Sequence, residues 1–112
     1  MTKIDILTRP SSLEEVKRAV DHPWVSGLTA TEVKAYGPPG RVRAIYRGAV
    51  HDPGMTPMLR IEIVVPDGLA PRILHELERS LRAGDPGDGR LHAGHVDEAV
   101  RVRTGERGDG AL

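Results

Sequence analysis

Two stretches in which a two-residue alternation gives way to a 3.6-residue period constrain this chain most. Leu59, Ile61, Ile63 and Val65 alternate with Arg60, Glu62 and Val64, so an extended backbone there has one apolar and one mixed face. Pro66-Asp67-Gly68 turns the chain. Ala70, Ile73, Leu74, Leu77 and Leu81 then share one helical stripe, with Arg72, Glu76, Arg79 and Arg82 outside it. The same order occurs earlier. Residues 3–9 alternate as a strand and stop at Pro10, and Leu13, Val16, Ala19 and Val20 follow at helical spacing until Pro23. Two overlapping S-x-x-E boxes, Ser11/Glu14 and Ser12/Glu15, predict that helix's start. The Thr- and Val-rich run 27–36 reads as a strand, and strands over 91–96 and 99–103 complete the pass.

The order is β-α-β, a long loop, then β-α-β with a short final strand. It predicts an α+β fold of the ferredoxin-like βαβ-βαβ type, an antiparallel sheet with both helices on one face. At 112 residues the chain forms a single domain, 1–112. With one Trp, two Tyr and no Phe, its core is aliphatic and buries little area per residue. Another subunit is the most economical cover for the second sheet face. Segment 37–55 holds Gly37, Pro38, Pro39, Gly40, Gly48, Pro53 and Gly54 without firm periodicity, a pattern that marks a functional loop. The glycine-rich, charged tail 104–112 is expected to be mobile.

Charge and composition remove several function classes. Sixteen basic and sixteen acidic side chains cancel, so the basic field of a non-specific nucleic-acid binder is missing. Zero cysteines exclude disulfides, thiolate nucleophiles and thiolate zinc sites. No apolar run approaches the roughly 20 residues of a membrane span, and the first residues, MTKIDILTRP, lack a signal peptide's apolar core. A cytoplasmic location is expected.

Two local patterns could carry chemistry. In Gly84-x-x-Gly87-Asp88-Gly89-Arg90 the glycines leave backbone N–H groups bare enough to form an anion nest, and Arg90 adds a charge-assisted donor. A plain helix-to-strand turn accounts for the same residues. Arg101 and Arg103 alternate with Val100 and Val102, so on a strand both guanidinium groups share one face and the valines enter the core. Two convergent arginines suit a di- or triphosphate, although a solvated strand face is the plainer reading. His92-x-x-His95 invites a metal, but strand geometry turns the rings to opposite faces. No metal ligand and no catalytic residue is assigned.

Together the segments resemble the PII nitrogen-regulatory protein family along essentially the whole chain. The resemblance is carried by Met1-x-Lys3-Ile4-Asp5, Arg9-Pro10, Gly27, Thr29-x-Thr31-Glu32-Val33-Lys34, Gly37 and Tyr46-Arg47-Gly48-Ala49. Ile61-Glu62-Ile63-Val64-Val65, Gly84-x-x-Gly87-Asp88-Gly89 and Arg101-x-Arg103-Thr104-Gly105-Glu106 complete it. It implies a compact homotrimer whose intersubunit clefts bind ATP or ADP, alone or with magnesium, and no prosthetic group. The adenine would lie near Thr29 and Val64, the ribose near Glu62 and Gly37, and the phosphates near the 84–90 loop (Gly87, Asp88, Gly89, Arg90) and Arg101 and Arg103. Arg90 replaces the family's usual lysine and keeps its charge.

The departures lie in the 37–55 segment, which resembles the family's T-loop. His51 stands where typical members carry the tyrosine that receives a nucleotidyl group, while Tyr46 is not the usual target. Pro39 and Met58 replace the glutamine and lysine that hold magnesium and 2-oxoglutarate. The resemblance thus implies a non-enzymatic sensor that regulates a transporter or metabolic enzyme through this loop. A transporter partner would bring it to the membrane, and bicarbonate or a cyclic nucleotide could stand in for 2-oxoglutarate. The rival readings are a slow nucleotide hydrolase using the same phosphate pocket and a metal-binding trimer using the histidines.

Overall fold

The computed structural model describes residues 1–36, 54–83 and 89–112. Strand β1 (Thr2–Thr8) runs through the middle of the fold. It pairs antiparallel with β3 (Met55–Val65) on one side and β4 (Arg90–His95) on the other. Strand β2 (Thr29–Tyr36) adds antiparallel to the outer side of β3, giving the order β2-β3-β1-β4. Each helix links a strand to one lying two places away, α1 (Leu13–Ala19) after β1 and α2 (Ala70–Ala83) after β3. These are two interleaved split βαβ units, the ferredoxin-like α+β fold expected.

Strand periodicity decides which residues are core. Ile4 and Ile6 of β1 lie opposite Ile63 and Ile61 of β3, all buried, and Val16 of α1 and Leu77 of α2 cover them. The alternate positions, Lys3, Asp5 and Leu7 on β1 and Arg60, Glu62 and Val64 on β3, face away from the helices and none is buried. On α2 the exposed side carries ion pairs one turn apart, Arg79 with Glu76 at 2.7 Å and Arg82 with Glu78 at 2.6 Å. Such pairs add little to stability but keep that side wet. Among the described residues no helix is long and apolar enough to cross a membrane.

Four local expectations are corrected. Strand β3 begins at Met55 rather than Leu59, so part of the expected loop is strand, paired as Tyr36↔Met55 and Lys34↔Pro57. Pro57 suggests a break, but β1 ends at the Thr8↔Leu59 pair. Beyond it, among the described residues, only β2 flanks β3, and a residue without an N–H is tolerated on such an open side. The capping boxes are not used, since Ser12 makes no side-chain cap bond. Pro10–Ser12 forms a 3₁₀ turn that runs into α1, and the Ser12 N–H donates to the Arg9 carbonyl at 3.0 Å.

The run 99–103 is not a strand. The Arg101 N–H donates to the Glu106 carbonyl at 2.9 Å and the Gly105 N–H to the Arg101 carbonyl at 2.7 Å, closing a tight turn across the bridge Val100↔Arg107. Gly105 makes the reversal with φ +78°, a conformation that suits glycine. The valines therefore miss the core, and Val102 is 94% exposed at the tip. The tail is folded as well. Gly108–Ala111 forms a 3₁₀ turn, and Leu112 is half-buried.

Candidate functional site

Residues on the open side of the sheet build a cleft where β2 starts. Antiparallel register sets Thr29 opposite Glu62 on β3, and Glu62 opposite Asp5 on β1. Thr29, Glu62 and Val64, grouped above by the family resemblance, thus lie together, and Lys3, Ser26, Gly27, Leu28, Ile63 and Val96 complete the lining. The cleft holds about 600 Å³, within the range of small-molecule sites. Its wall is largely aliphatic. Its polar groups are the hydroxyls of Ser26 and Thr29 and the charges of Lys3 and Glu62.

Those charges are coupled. The Lys3 ammonium lies 2.8 Å from Glu62 Oε1 and 3.7 Å from Asp5 Oδ1, and Arg60 Nη2 lies 4.0 Å from Glu62 Oε1. The Lys3 hydrogen bond, then its charge, holds the Glu62 carboxyl below the usual carboxylate range. The same hydrogen bond, with the charge of Asp5, holds the Lys3 ammonium above the usual range. Glu62 supports the pair above its unfolded pKa and loses it as pH falls through its lowered folded value; Lys3 loses it only as pH rises through its raised folded value. Both groups are charged across the neutral range. Asp5 Oδ1 is shielded from solvent without a hydrogen bond.

The cationic candidates lie elsewhere. Gly89 and Arg90 stand at the start of β4, Arg90 opposite Leu7 and exposed. Strands β2 and β4 occupy opposite sheet edges, three strand spacings or roughly 14 Å apart. Arg101 and Arg103 are carried by the tight turn after β4 rather than by a strand. Arg101 is half-buried and its Nη2 donates to the Leu112 carbonyl at 3.0 Å, whereas Arg103 is exposed. None of these arginines lines the cleft of its own chain. Gly37, Tyr46, His51, Gly87 and Asp88, with Pro39, lie outside the described residues. His92 and His95 do fall on opposite faces, opposite Asp5 and Thr2, and His95 Nε2 meets Asp97 Oδ1 at 3.1 Å.

Lys3 is the charged cleft residue that sequence reasoning missed as a site, alongside the uncharged Ser26, Gly27, Leu28, Ile63 and Val96. Lys3 and Asp5 on one strand and Arg60 and Glu62 on another are visible as alternating charges, but only the register makes them neighbours.

Residues 1–106 match the profile of the family described as "Nitrogen regulatory protein P-II". The chain is 37% identical to the nitrogen regulatory protein P-II of Bradyrhizobium diazoefficiens over 112 residues, the full length of both. It is 36% identical, again over both full lengths, to that of Rhodospirillum rubrum and to nitrogen regulatory protein P-II 1 of Escherichia coli K12. All three are named as nitrogen regulatory proteins. A chain with this fold and this end-to-end similarity belongs to the P-II nitrogen regulatory protein family.

Proposed function

We propose that this protein is a non-enzymatic signalling trimer that binds ATP or ADP in clefts between neighbouring subunits. One subunit contributes Thr29, Gly37, Glu62 and Val64. The next contributes Gly87, Asp88, Gly89, Arg90, Arg101 and Arg103. Nucleotide occupancy biases the 37–55 segment, with Tyr46 and His51, and a transporter or metabolic enzyme reads the result. Recruitment to a membrane would follow from a transporter partner.

The observation that carries this reading is the split between the two halves. A largely aliphatic cleft with a fixed carboxylate opens at the β2 edge, while Arg90 starts the strand at the opposite edge and the arginine turn follows it. In a ring of copies, the β4 edge of one subunit reaches the β2 edge of the next. The open sheet face supports the same assembly, because Asp5 Oδ1 lacks a donor there. Val102, 94% exposed at the tip of its turn, would also remove apolar area from water if a neighbour covered it.

Calorimetry on the purified protein tests the reading. ATP and ADP are expected to bind saturably, approaching one per chain, and heats no larger than dilution would contradict it. Adding 2-oxoglutarate with magnesium is expected to leave ATP affinity unchanged. Pro39 has no side-chain acceptor and Met58, buried at 6% exposure, brings no cation, so the dianion would be desolvated unpaired. Magnesium-dependent synergy would overturn this assignment of Pro39 and Met58.

A further inference from the structure

We propose that the cavity between the loop after α1 and the C-terminal tail binds a small organic cation, a guanidinium or ammonium group on a short aliphatic stem. The cavity holds about 370 Å³ and is lined by Trp24, Pro66, Gly68, Leu69 and Asp109. It shares no lining residue with the cleft at the β2 edge, and its occupancy does not depend on the nucleotide reading.

Backbone hydrogen bonds fix each of its walls. After α1 the Trp24 N–H donates to His22 Nδ1 at 3.1 Å and the Val25 N–H to the His22 carbonyl at 2.9 Å, a tight turn around Pro23. Val25 packs against the core, while Trp24 is left 65% exposed. The turn from β3 into α2 is closed by the Leu69 N–H on the Pro66 carbonyl at 3.0 Å, and Leu69 also packs against the core. The tail supplies the last wall. The Gly108 N–H donates to the Ala99 carbonyl at 3.0 Å, and Arg101 Nη2 to the Leu112 carbonyl at 3.0 Å. Asp109 is thereby held near a tryptophan far earlier in the chain.

Charge selects the ligand. Asp67, in the same turn as Pro66 and Gly68, is already occupied: its Oδ1 lies 3.1 Å from the Met1 ammonium and accepts from the Thr2 hydroxyl at 2.7 Å. The Asp109 carboxylate is exposed, and no hydrogen bond or ion pair to it is seen among the described residues. Apart from the indole N–H it is the one polar side-chain group of the lining. An aromatic face attracts a cation, a carboxylate pairs with it, and Pro66 and Leu69 offer apolar contact to an aliphatic stem. An anion would meet Asp109 with no cation in the lining to offset it. A guanidinium is favoured over an ammonium, because its plane stacks on an indole and its fork fits a carboxylate. The volume lies near the lower end of small-molecule sites.

The test titrates n-butylguanidinium, n-butylammonium, n-butanol and butyrate into the whole protein. Trp24 is the single tryptophan, so its fluorescence reports the site, and the amide NMR signals of Gly68 and Leu69 report it independently of the indole. Both cations are expected to saturate both signals, butylguanidinium the more tightly, with butanol and butyrate several-fold weaker. Asp109→Asn should weaken the cations roughly two- to fivefold, the range of an exposed ion pair, and leave butanol unchanged. Trp24→Leu, followed by NMR, should weaken them by roughly the same factor, the range of an exposed cation–π contact. Added salt should weaken the cations alone. Both side chains are exposed outside the core, so both variants are expected to fold, which circular dichroism checks. Cations that give no saturable change in wild type, or that bind either folded variant as tightly as wild type, overturn the proposal. Butanol or butyrate binding as tightly as the cations also overturns it, since the cavity would then be no more than an apolar crevice.

Discussion

Replacing Arg101 with alanine is expected to weaken ATP binding by about 1.5–3 kcal/mol, the value of a hydrogen bond to a charged group. That is roughly ten- to 150-fold in the dissociation constant. The expectation follows from how the side chain is held. A free arginine loses rotamer entropy when it grips a phosphate, but here the Leu112 carbonyl already orients the guanidinium at 3.0 Å. A guanidinium carries five N–H donors, so one bond to the tail leaves others for an anion. Arg101→Lys should recover only part of the loss, because an ammonium cannot offer the planar fork. Arg103 is exposed and no hydrogen bond from its guanidinium is seen among the described residues, so Arg103→Ala should fall at the low end of the range. Calorimetry decides it. Unchanged affinity in both alanine variants removes the turn from the site.

Leu77→Ala is expected to destabilise the fold by about 2–5 kcal/mol, the range for emptying a packed leucine position. Leu77 is fully buried, and it belongs to the apolar stripe that α2 presses onto the sheet. Few aromatic residues are available to close the resulting cavity; the single Trp24 is 65% exposed and lies outside the core. Urea denaturation at a fixed chain concentration measures the effect, since assembly makes stability depend on concentration. A loss below about 1 kcal/mol would mean that α2 is not a principal cover of the sheet.

The elements that were legible in the sequence are those with an uninterrupted period. The alternation from Leu59 to Val65 and the stripe from Ala70 to Leu81 both appear where expected, because burying their apolar positions admits one register. The start of β3 was hidden by Pro57, whose harmlessness depends on where β1 ends. The 99–103 strand failed for a related reason. Val100 and Val102 mimic strand alternation, but the Gly105 reversal places both in a turn that pairs with itself. Thr29, Glu62 and Val64 were found as members of one site through family resemblance, and register unites them in one cleft. Lys3 had no local signal. Its role is a diagonal contact between strands more than fifty residues apart in sequence, which periodicity within either strand cannot reveal.

The most direct test of the intersubunit site is complementation between two variants that each spoil a different half. Thr29→Trp fills the cleft at the β2 edge, and the double variant Arg101→Ala with Arg103→Ala removes the cations of the turn. ATP binding is measured at a concentration that saturates wild type but neither variant. When the two are unfolded together and refolded as mixed trimers, about a quarter of the interfaces should unite an intact cleft with an intact turn, and that share of binding should return. Mixed trimers that bind no more ATP than the separate variants would contradict a site shared across the subunit boundary.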